Sequence, residues 1–173
     1  MSDLLNRVLP IKLVIFDVDG VLTDGRIVMD DCGMETKFFH VRDGHGLKLL
    51  MRAGLEAGFL TGRQSRVVEL RAADLGVTLL WQGIKNKIDI YQNILTEHRL
   101  VDAQVAYVGD DLVDLPVMRR VGLALAPADA VDEVKEVAHY VAKLPGGHGA
   151  VREMIEFILK SQGRWESVVA RYF

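Results

Sequence analysis

The segment IKLVIFDVDG, residues 11–20, carries the strongest structural signal in the chain. Its first six residues form a short apolar run with β-branched side chains, which is typical of a strand buried in a parallel sheet. The run stops at Asp17, where Asp17 and Asp19 lie two residues apart and Gly20 allows the chain to turn. The segment therefore predicts a buried strand that ends in a pair of carboxylates.

Further short apolar segments follow along the chain, separated by stretches with apolar residues at helical spacing. The strand candidates are residues 55–60, 77–80, 104–108, 123–126 and 139–142. This alternation predicts an open, Rossmann-like α/β sheet with helices on both faces, joined by right-handed crossovers. Ligands bind such sheets beyond the carboxyl ends of the strands, which is where Asp17 lies.

Two segments depart from the alternation. Residues 26–40 indicate a projecting β-hairpin, with strands at 26–29 and 36–40 around the turn DDCG. Residues 162–173 form a C-terminal tail with Trp165, Tyr172 and Phe173, whose apolar groups favour docking, although an unanchored tail is equally compatible. We expect one domain over residues 1–173.

Composition narrows the function classes. The chain has 173 residues and a net charge of −3, with charges of both signs mixed along it, so it lacks the basic field that binds nucleic acid. Cys32 is the only cysteine, which excludes an intrachain disulfide. No apolar run approaches the ~18 residues of a membrane span, and the N-terminus does not resemble a signal peptide. We expect a cytoplasmic protein that binds neither nucleic acid nor a membrane.

A second acidic cluster follows another strand candidate. Asp110, Asp111 and Asp114 come directly after residues 104–108. A lone DxD sequence is usually a solvated turn, and an aspartate after a strand is often a helix cap, but capping explains only one of these three aspartates. If the two strands are neighbours, Asp17 and Asp110 can hold one hard cation through oxygen ligands, as magnesium prefers.

Two further residues complete a set suited to phosphoryl transfer. Thr61 follows the strand candidate at 55–60, and Lys87 begins a predicted helix. Taken singly, such a threonine is usually a cap and such a lysine is usually solvated. Beside clustered carboxylates, a hydroxyl and an ammonium group can orient a phosphoryl group and stabilise its charge.

In this order, these segments resemble motifs one to four of the haloacid dehalogenase superfamily of phosphohydrolases. Within it, the flanking blocks are most similar to the enzymes that release phosphate from 3-deoxy-D-manno-octulosonate 8-phosphate. The resemblance covers nearly the whole chain, through FDVDGVLTDG, VRDGHGLKLL, TGR, LGV, QGIKNK, VAYVGDDLVDLPVM, VGLALA and GGHGAVREMIEFIL. It implies a phosphatase of lipopolysaccharide precursor synthesis that acts on a small acidic sugar phosphate.

The resemblance also implies catalytic roles. Asp17 would attack phosphorus and form an aspartyl-phosphate, while Asp19 would protonate the departing sugar oxygen and then activate the hydrolytic water. Thr61 and Lys87 would hold phosphoryl oxygens.

A magnesium site is implied as well. Its ligands would be Asp17, the backbone carbonyl of Asp19 and Asp110. Asp111 and Asp114 would support those ligands.

The residues between Asp19 and Thr61 are too few to form a separate cap domain. Other parts of the protein must therefore select the substrate. In the family that the chain resembles, subunits form a homotetramer whose hairpins and tails shape neighbouring sites. The hairpin and tail of this chain are candidates for that role, although both could pack on their own subunit. Besides Asp19 and Lys87, the substrate-binding residues implied by the resemblance are His40, Val41, Arg42, Asp43, Gly44, Lys48, Arg63 and Arg71.

Helical spacing and two departures from the family's usual residues affect this predicted set of substrate-binding residues. Arg63 and Arg71 would fall about 80° apart around one helix, so they could face a common pocket. Lys48 stands where many relatives have arginine, and a lysine does not reproduce a bidentate grip on a carboxylate. His45 stands where a tyrosine is common, and we assign it no catalytic role.

Three alternatives remain. One is a phosphatase of another acidic sugar phosphate, such as a nonulosonate 9-phosphate. Another is a phospho-receiver domain, but in receivers the phosphorylated aspartate belongs to the third strand, whereas here DxDG follows the first. The third is a non-catalytic scaffold, which the complete catalytic set disfavours.

Overall fold

The computed structural model describes residues 2–173 and contains a parallel sheet between helical layers. The strands are β1 (Leu13–Phe16), β2 (Val28–Met29), β3 (Glu35–Thr36), β4 (Glu56–Leu60), β5 (Leu79–Trp81), β6 (Val105–Val108), β7 (Leu123–Ala126) and β8 (Tyr140–Val141). The helices are α1 (Ser2–Val8), α2 (Val41–Arg52), α3 (Arg66–Leu75), α4 (Lys87–His98), α5 (Leu115–Met118), α6 (Asp132–Val137), α7 (Ala150–Ser161) and α8 (Trp165–Val169).

Six strands form the main sheet, in the order β5-β4-β1-β6-β7-β8, and all its neighbouring strands are parallel. Every residue of β1 is buried, as its continuous apolar sequence predicts. Val14 and Phe16 join the core on one face, whereas Leu13 and Ile15 join the core on the other. The predicted open α/β sheet with helices on both faces is confirmed.

The register of the central strands positions the functional residues. β1 lies between β4 and β6, and Phe16 is opposite Phe59 on one side and Val108 on the other. The residues that leave these strands, beginning with Asp17 and Gly109, therefore emerge side by side at one edge of the sheet.

The hairpin is shorter than its sequence suggests. β2 and β3 pair antiparallel through two residues each, instead of the predicted strands at 26–29 and 36–40. The carboxylate of Asp30 closes the turn, accepting hydrogen bonds from the backbone N–H of Cys32 at 2.9 Å and of Met34 at 2.8 Å.

The C-terminal residues are folded against the same chain. After α8, residues 170–172 form a 3₁₀ turn that brings Tyr172 to helix α2. Its hydroxyl lies 2.9 Å from Nε2 of His45 and accepts a hydrogen bond from Arg52 at 3.1 Å. Within residues 2–173, no helix is long and apolar enough to cross a membrane.

Candidate active site

The two acidic clusters meet where β1 and β6 end. The backbone N–H of Asp17 donates to the carbonyl of Val108, the last residue of β6, at 2.9 Å, which extends the pairing one residue beyond β1. Carboxylate oxygens of Asp17, Asp110 and Asp114 then lie within 4.8 Å of one another. The neighbouring strands expected from the sequence thus bring the predicted carboxylates together.

Lys87 stands among these carboxylates at the first turn of α4. Its Nζ lies 2.9 Å from Oδ1 of Asp17 and 2.7 Å from Oδ1 of Asp114, and the residue is buried. Burial alone would lower the pKa of this ammonium group, but the two carboxylates outweigh burial and raise its pKa. Lys87 is therefore held as a cation beside Asp17.

The buried carboxylate of Asp114 accepts most of the hydrogen bonds that hold the site together. Besides Lys87, its carboxylate accepts hydrogen bonds from the hydroxyl of Tyr107 at 2.7 Å and from the backbone N–H groups of Asp110 at 3.0 Å and Asp111 at 3.3 Å. Lys87 also donates to the Tyr107 hydroxyl at 3.2 Å. The sequence shows Tyr107 only as one apolar residue of a buried strand, so its polar role was missed.

The acidic residues fit a hard divalent cation. Burial and neighbouring carboxylates raise the pKa of Asp17 to about 7 and that of Asp110 to about 8. Oδ1 of Asp110 is buried without a hydrogen-bond partner among the described residues, which is costly for a polar atom. Several carboxylate oxygens around an unsatisfied acceptor are the donor set that magnesium takes, and a cation there would remove the repulsion.

A cleft of ≈ 400 Å³ opens above this cluster. Thr61, at the end of β4, is buried at its floor, and its backbone N–H donates to the carbonyl of Trp81 at 2.9 Å. The cleft is lined by the side chains expected from the motifs together with a few neighbours, namely Asp17, Asp19, Thr61, Gly62, Arg63, Ile84, Lys85, Lys87, Asp110, Asp111 and Val113.

Two hairpin residues outside the predicted set of site residues contact side chains that line this cleft. Lys37 forms an ion pair with Asp19, and its Nζ lies 3.2 Å from Glu35. Glu35 also accepts a hydrogen bond from Arg63 at 3.0 Å and one from Ser65. Glu35 and Lys37 are two residues apart at the end of β3, and a spacing of two in an extended segment puts side chains on one face, which was the available signal.

The remaining substrate-binding candidates do not line the cleft in the described chain. Arg71 pairs with Asp74 at 2.8 Å, stacks over Phe39 and borders a separate small void. That void is also lined by His40, Asp43 and Gly44. The structure thus places Arg63 and Arg71 in different pockets rather than in a common one.

Asp43 has a defined structural partner. Its buried carboxylate accepts hydrogen bonds from the backbone N–H groups of Gly149 at 3.2 Å and Arg152 at 2.7 Å, at the start of α7. Val41, Arg42 and Lys48 are exposed on α2. Contact between these residues of α2 and a substrate stays a prediction.

The six-stranded parallel sheet carries carboxylates after β1 and β6, and Lys87 lies between those carboxylates. This arrangement defines a haloacid dehalogenase-like hydrolase. The profile of that family matches residues 79–154. A 3-deoxy-D-manno-octulosonate 8-phosphate phosphatase of Yersinia pestis is 44% identical over 95% of this chain and 88% of its own length.

Solved structures of similar proteins have the same fold as this chain. The Moraxella catarrhalis 3-deoxy-D-manno-octulosonate 8-phosphate phosphatase, crystallised with a magnesium ion, a phosphate ion and the sugar acid, matches with a TM-score of 0.97 and 35% identity, covering 100% of this chain and 99% of that one. The cobalt-bound Haemophilus influenzae phosphatase matches with a TM-score of 0.87 and 43% identity, covering 91% and 92% of the two chains. The chain belongs to the 3-deoxy-D-manno-octulosonate 8-phosphate phosphatase family.

Proposed function

We propose that this protein is a magnesium-dependent phosphomonoesterase that hydrolyses 3-deoxy-D-manno-octulosonate 8-phosphate through an aspartyl-phosphate intermediate. The observation that carries the proposal is the position of Asp17, which faces Lys87 at 2.9 Å and shares a cluster with Asp110 at the floor of an open cleft. The family of the chain supports the named substrate.

In the first half of the reaction, an oxygen of Asp17 attacks phosphorus as the bond from phosphorus to the sugar oxygen breaks. Asp19 gives its proton to that departing oxygen. Lys87 and Thr61 orient the phosphoryl oxygens, and the ammonium group of Lys87 stabilises the charge that gathers on them.

In the second half, water attacks the phosphorus of the aspartyl-phosphate. Asp19, now a carboxylate, takes a proton from that water, and the bond between phosphorus and Asp17 breaks. Phosphate leaves, and both aspartates return to their starting protonation states.

Asp17, the backbone carbonyl of Asp19 and Asp110 would hold the magnesium ion. When bound, the ion neutralises the clustered carboxylates and the phosphate charge. Asp114 would keep the loop of Asp110 in place, because its carboxylate accepts the backbone N–H groups of Asp110 and Asp111. Asp111 would support the same loop by accepting the backbone N–H of Leu112.

Substrate binding would extend from the cleft to the sugar. Arg63 lies on the rim and is the cation best placed for the sugar carboxylate. The residues His40, Val41, Arg42, Asp43, Gly44, Lys48 and Arg71 would contribute only if a neighbouring subunit or a local rearrangement brings the substrate to them.

We also propose that the enzyme acts in the cytoplasm as a homotetramer, in lipopolysaccharide precursor synthesis. The hairpin supports an interface, because Ile27, Met29, Met34 and Phe38 expose much of their apolar surface. The docking of Tyr172 on α2 favours a tail that stays with its own subunit. Light scattering of the purified protein would measure the assembly.

The test of the activity is phosphate release from 3-deoxy-D-manno-octulosonate 8-phosphate with magnesium, with excess chelator, and with the variant Asp17→Asn. We expect turnover only with magnesium, and a loss of several orders of magnitude in the variant, as for removal of a covalent nucleophile. Turnover in excess chelator would contradict the metal site, and near-normal turnover of Asp17→Asn would contradict the covalent route. A faster rate with a nonulosonate 9-phosphate would favour the alternative substrate.

A further inference from the structure

Asp19, the proposed acid and base, has a cation beside each of its carboxylate oxygens. Lys37 pairs with Oδ1, and Nε of Arg63 lies 3.8 Å from Oδ2. Lys37 is the closer of the two, and it is the only hydrogen-bond donor to this carboxylate among residues 2–173. The orientation of Asp19 therefore depends mainly on Lys37.

Lys37 is itself held in place. Its side chain is 2% exposed, although it comes from a short hairpin on the surface. Glu35 pairs with both Lys37 and Arg63. Two carboxylates, Asp19 and Glu35, therefore share the same two cations. A buried ammonium group with two carboxylate partners is fixed far more firmly than a solvated lysine.

Lys37 does not line the cleft where the phosphoryl group would bind. Its direct contact with a residue of the cleft is the ion pair with Asp19, and its second partner, Glu35, connects it to Arg63 on the rim. When Asp19 gives its proton to the departing oxygen, a carboxylate forms next to the ammonium group of Lys37, which keeps that carboxylate in place for the second half of the reaction.

We propose that Lys37 is a positioning residue that aims the carboxyl group of Asp19 at the leaving oxygen. The inference rests on the proposed phosphatase function and deepens it: the hairpin of the same chain sets the geometry of proton transfer. A purely structural role, in which Lys37 only anchors the hairpin through Glu35, is the competing explanation.

Leaving-group dependence separates these two roles. A sugar oxygen needs a proton as it departs, whereas p-nitrophenolate leaves without one. A misplaced Asp19 should therefore slow the cleavage of a sugar phosphate much more than the cleavage of p-nitrophenyl phosphate. The value of kcat/KM reports the first half of the reaction for both substrates.

The experiment compares Lys37→Met, Lys37→Arg and Arg26→Met with the wild type on both substrates. For Lys37→Met we expect kcat/KM on the sugar phosphate to fall about 100-fold, within the range of one acid catalyst, and that on p-nitrophenyl phosphate to fall about threefold or less. Lys37→Arg should restore part of the loss. Arg26→Met is the matched control, because Arg26 is an exposed hairpin cation that pairs with Asp24 instead of Asp19.

The outcomes are distinguishable. Equal losses on the two substrates, or no loss on either, would overturn the positioning role. A Lys37→Met protein that does not fold, judged by its thermal melt, leaves Lys37→Arg as the test: a larger loss on the sugar phosphate supports the proposal, and equal losses reject it. A wild-type protein that releases phosphate from neither substrate would instead reject the proposed function.

Discussion

Gly20 lies directly against the carboxylate of Asp110. A β-carbon at Gly20 would overlap Oδ2 of Asp110, and the glycine has a φ of +90°, which other residues rarely adopt. The turn that follows the first acidic motif is thus shaped around the carboxylate of the second motif. Two segments far apart in the sequence have to fit each other before a cation can bind.

Gly20→Ala should weaken magnesium binding. The new methyl group would push the Asp110 carboxylate away, so we expect the magnesium concentration for half-maximal activity to rise by about tenfold or more. Titration of phosphate release with magnesium measures this. Gly76→Ala is the control, because Gly76 has a φ of +80° but open space around its α-carbon. An equal effect of both variants would attribute the loss to backbone strain alone.

Tyr107→Phe should slow turnover without removing any group that touches the phosphate. The variant deletes one hydrogen bond to Asp114 and one to Lys87, so we expect unfolding to become easier by about 1–3 kcal/mol and kcat to fall about tenfold. Denaturant titration and steady-state kinetics measure the two effects. Tyr91→Phe loses a bond of 2.7 Å to Asp102 away from the cleft, so it should lose stability and retain kcat.

The metal-free protein should lose stability as the pH rises. Burial raises the pKa of Asp110 to about 8, so the folded state holds a proton that the unfolded state has already released above pH ~4. This contribution is present at low pH and lost as the pH rises through about 8. Magnesium competes with that proton, so the increase in Tm on adding magnesium should be larger at pH 8 than at pH 5.

The variant Asp110→Asn supplies the comparison for this pH dependence. It removes the titrating carboxyl group and a metal ligand, so it should reduce both the fall in stability with pH and the magnesium response. A magnesium-induced Tm shift that is constant from pH 5 to 8 in the wild type would contradict the prediction.

Asp43→Ala distinguishes helix capping from substrate binding. The carboxylate of Asp43 accepts two backbone N–H groups at the start of α7, so we expect unfolding to become easier by about 1–2 kcal/mol. KM for the sugar phosphate should stay within about threefold. Asp132→Ala is the exposed control on α6, because Asp132 makes no buried cap. A large rise in KM with unchanged stability would instead place Asp43 at the substrate.

Local sequence pattern predicted the inner strands of the sheet well because they are mostly buried. β7 matches its predicted bounds, whereas β1 begins two residues later than its apolar run, at Leu13. The difference arises because an apolar run reports burial, while a strand begins where a neighbour pairs with it. Helix α8 was not predicted, since its five residues are too few for a helical period to be visible.

Site residues that belong to a sequence motif could be predicted. Site residues that are brought together only by tertiary contacts could not. Asp17, Thr61, Lys87 and Asp110 occupy one cleft, as the motif order indicates. The hydrogen bond between Asp43 and the N–H of Gly149, at the start of α7, joins residues 106 positions apart in the sequence. No local sequence pattern can reveal such a contact. Lys37 is similar: its position on a short hairpin suggests a solvated charge, and only the folded chain brings it to Asp19.

The side chains around the cleft also determine an order of events. When Asp17 and Asp110 are ionised, carboxylates outnumber cationic groups along its walls, and the buried Asp114 adds one more beneath them. A phosphate dianion that arrives alone therefore meets net repulsion, whereas a divalent cation is attracted. The ion should enter before the substrate and remain after phosphate departs, so that one metal ion serves many turnovers.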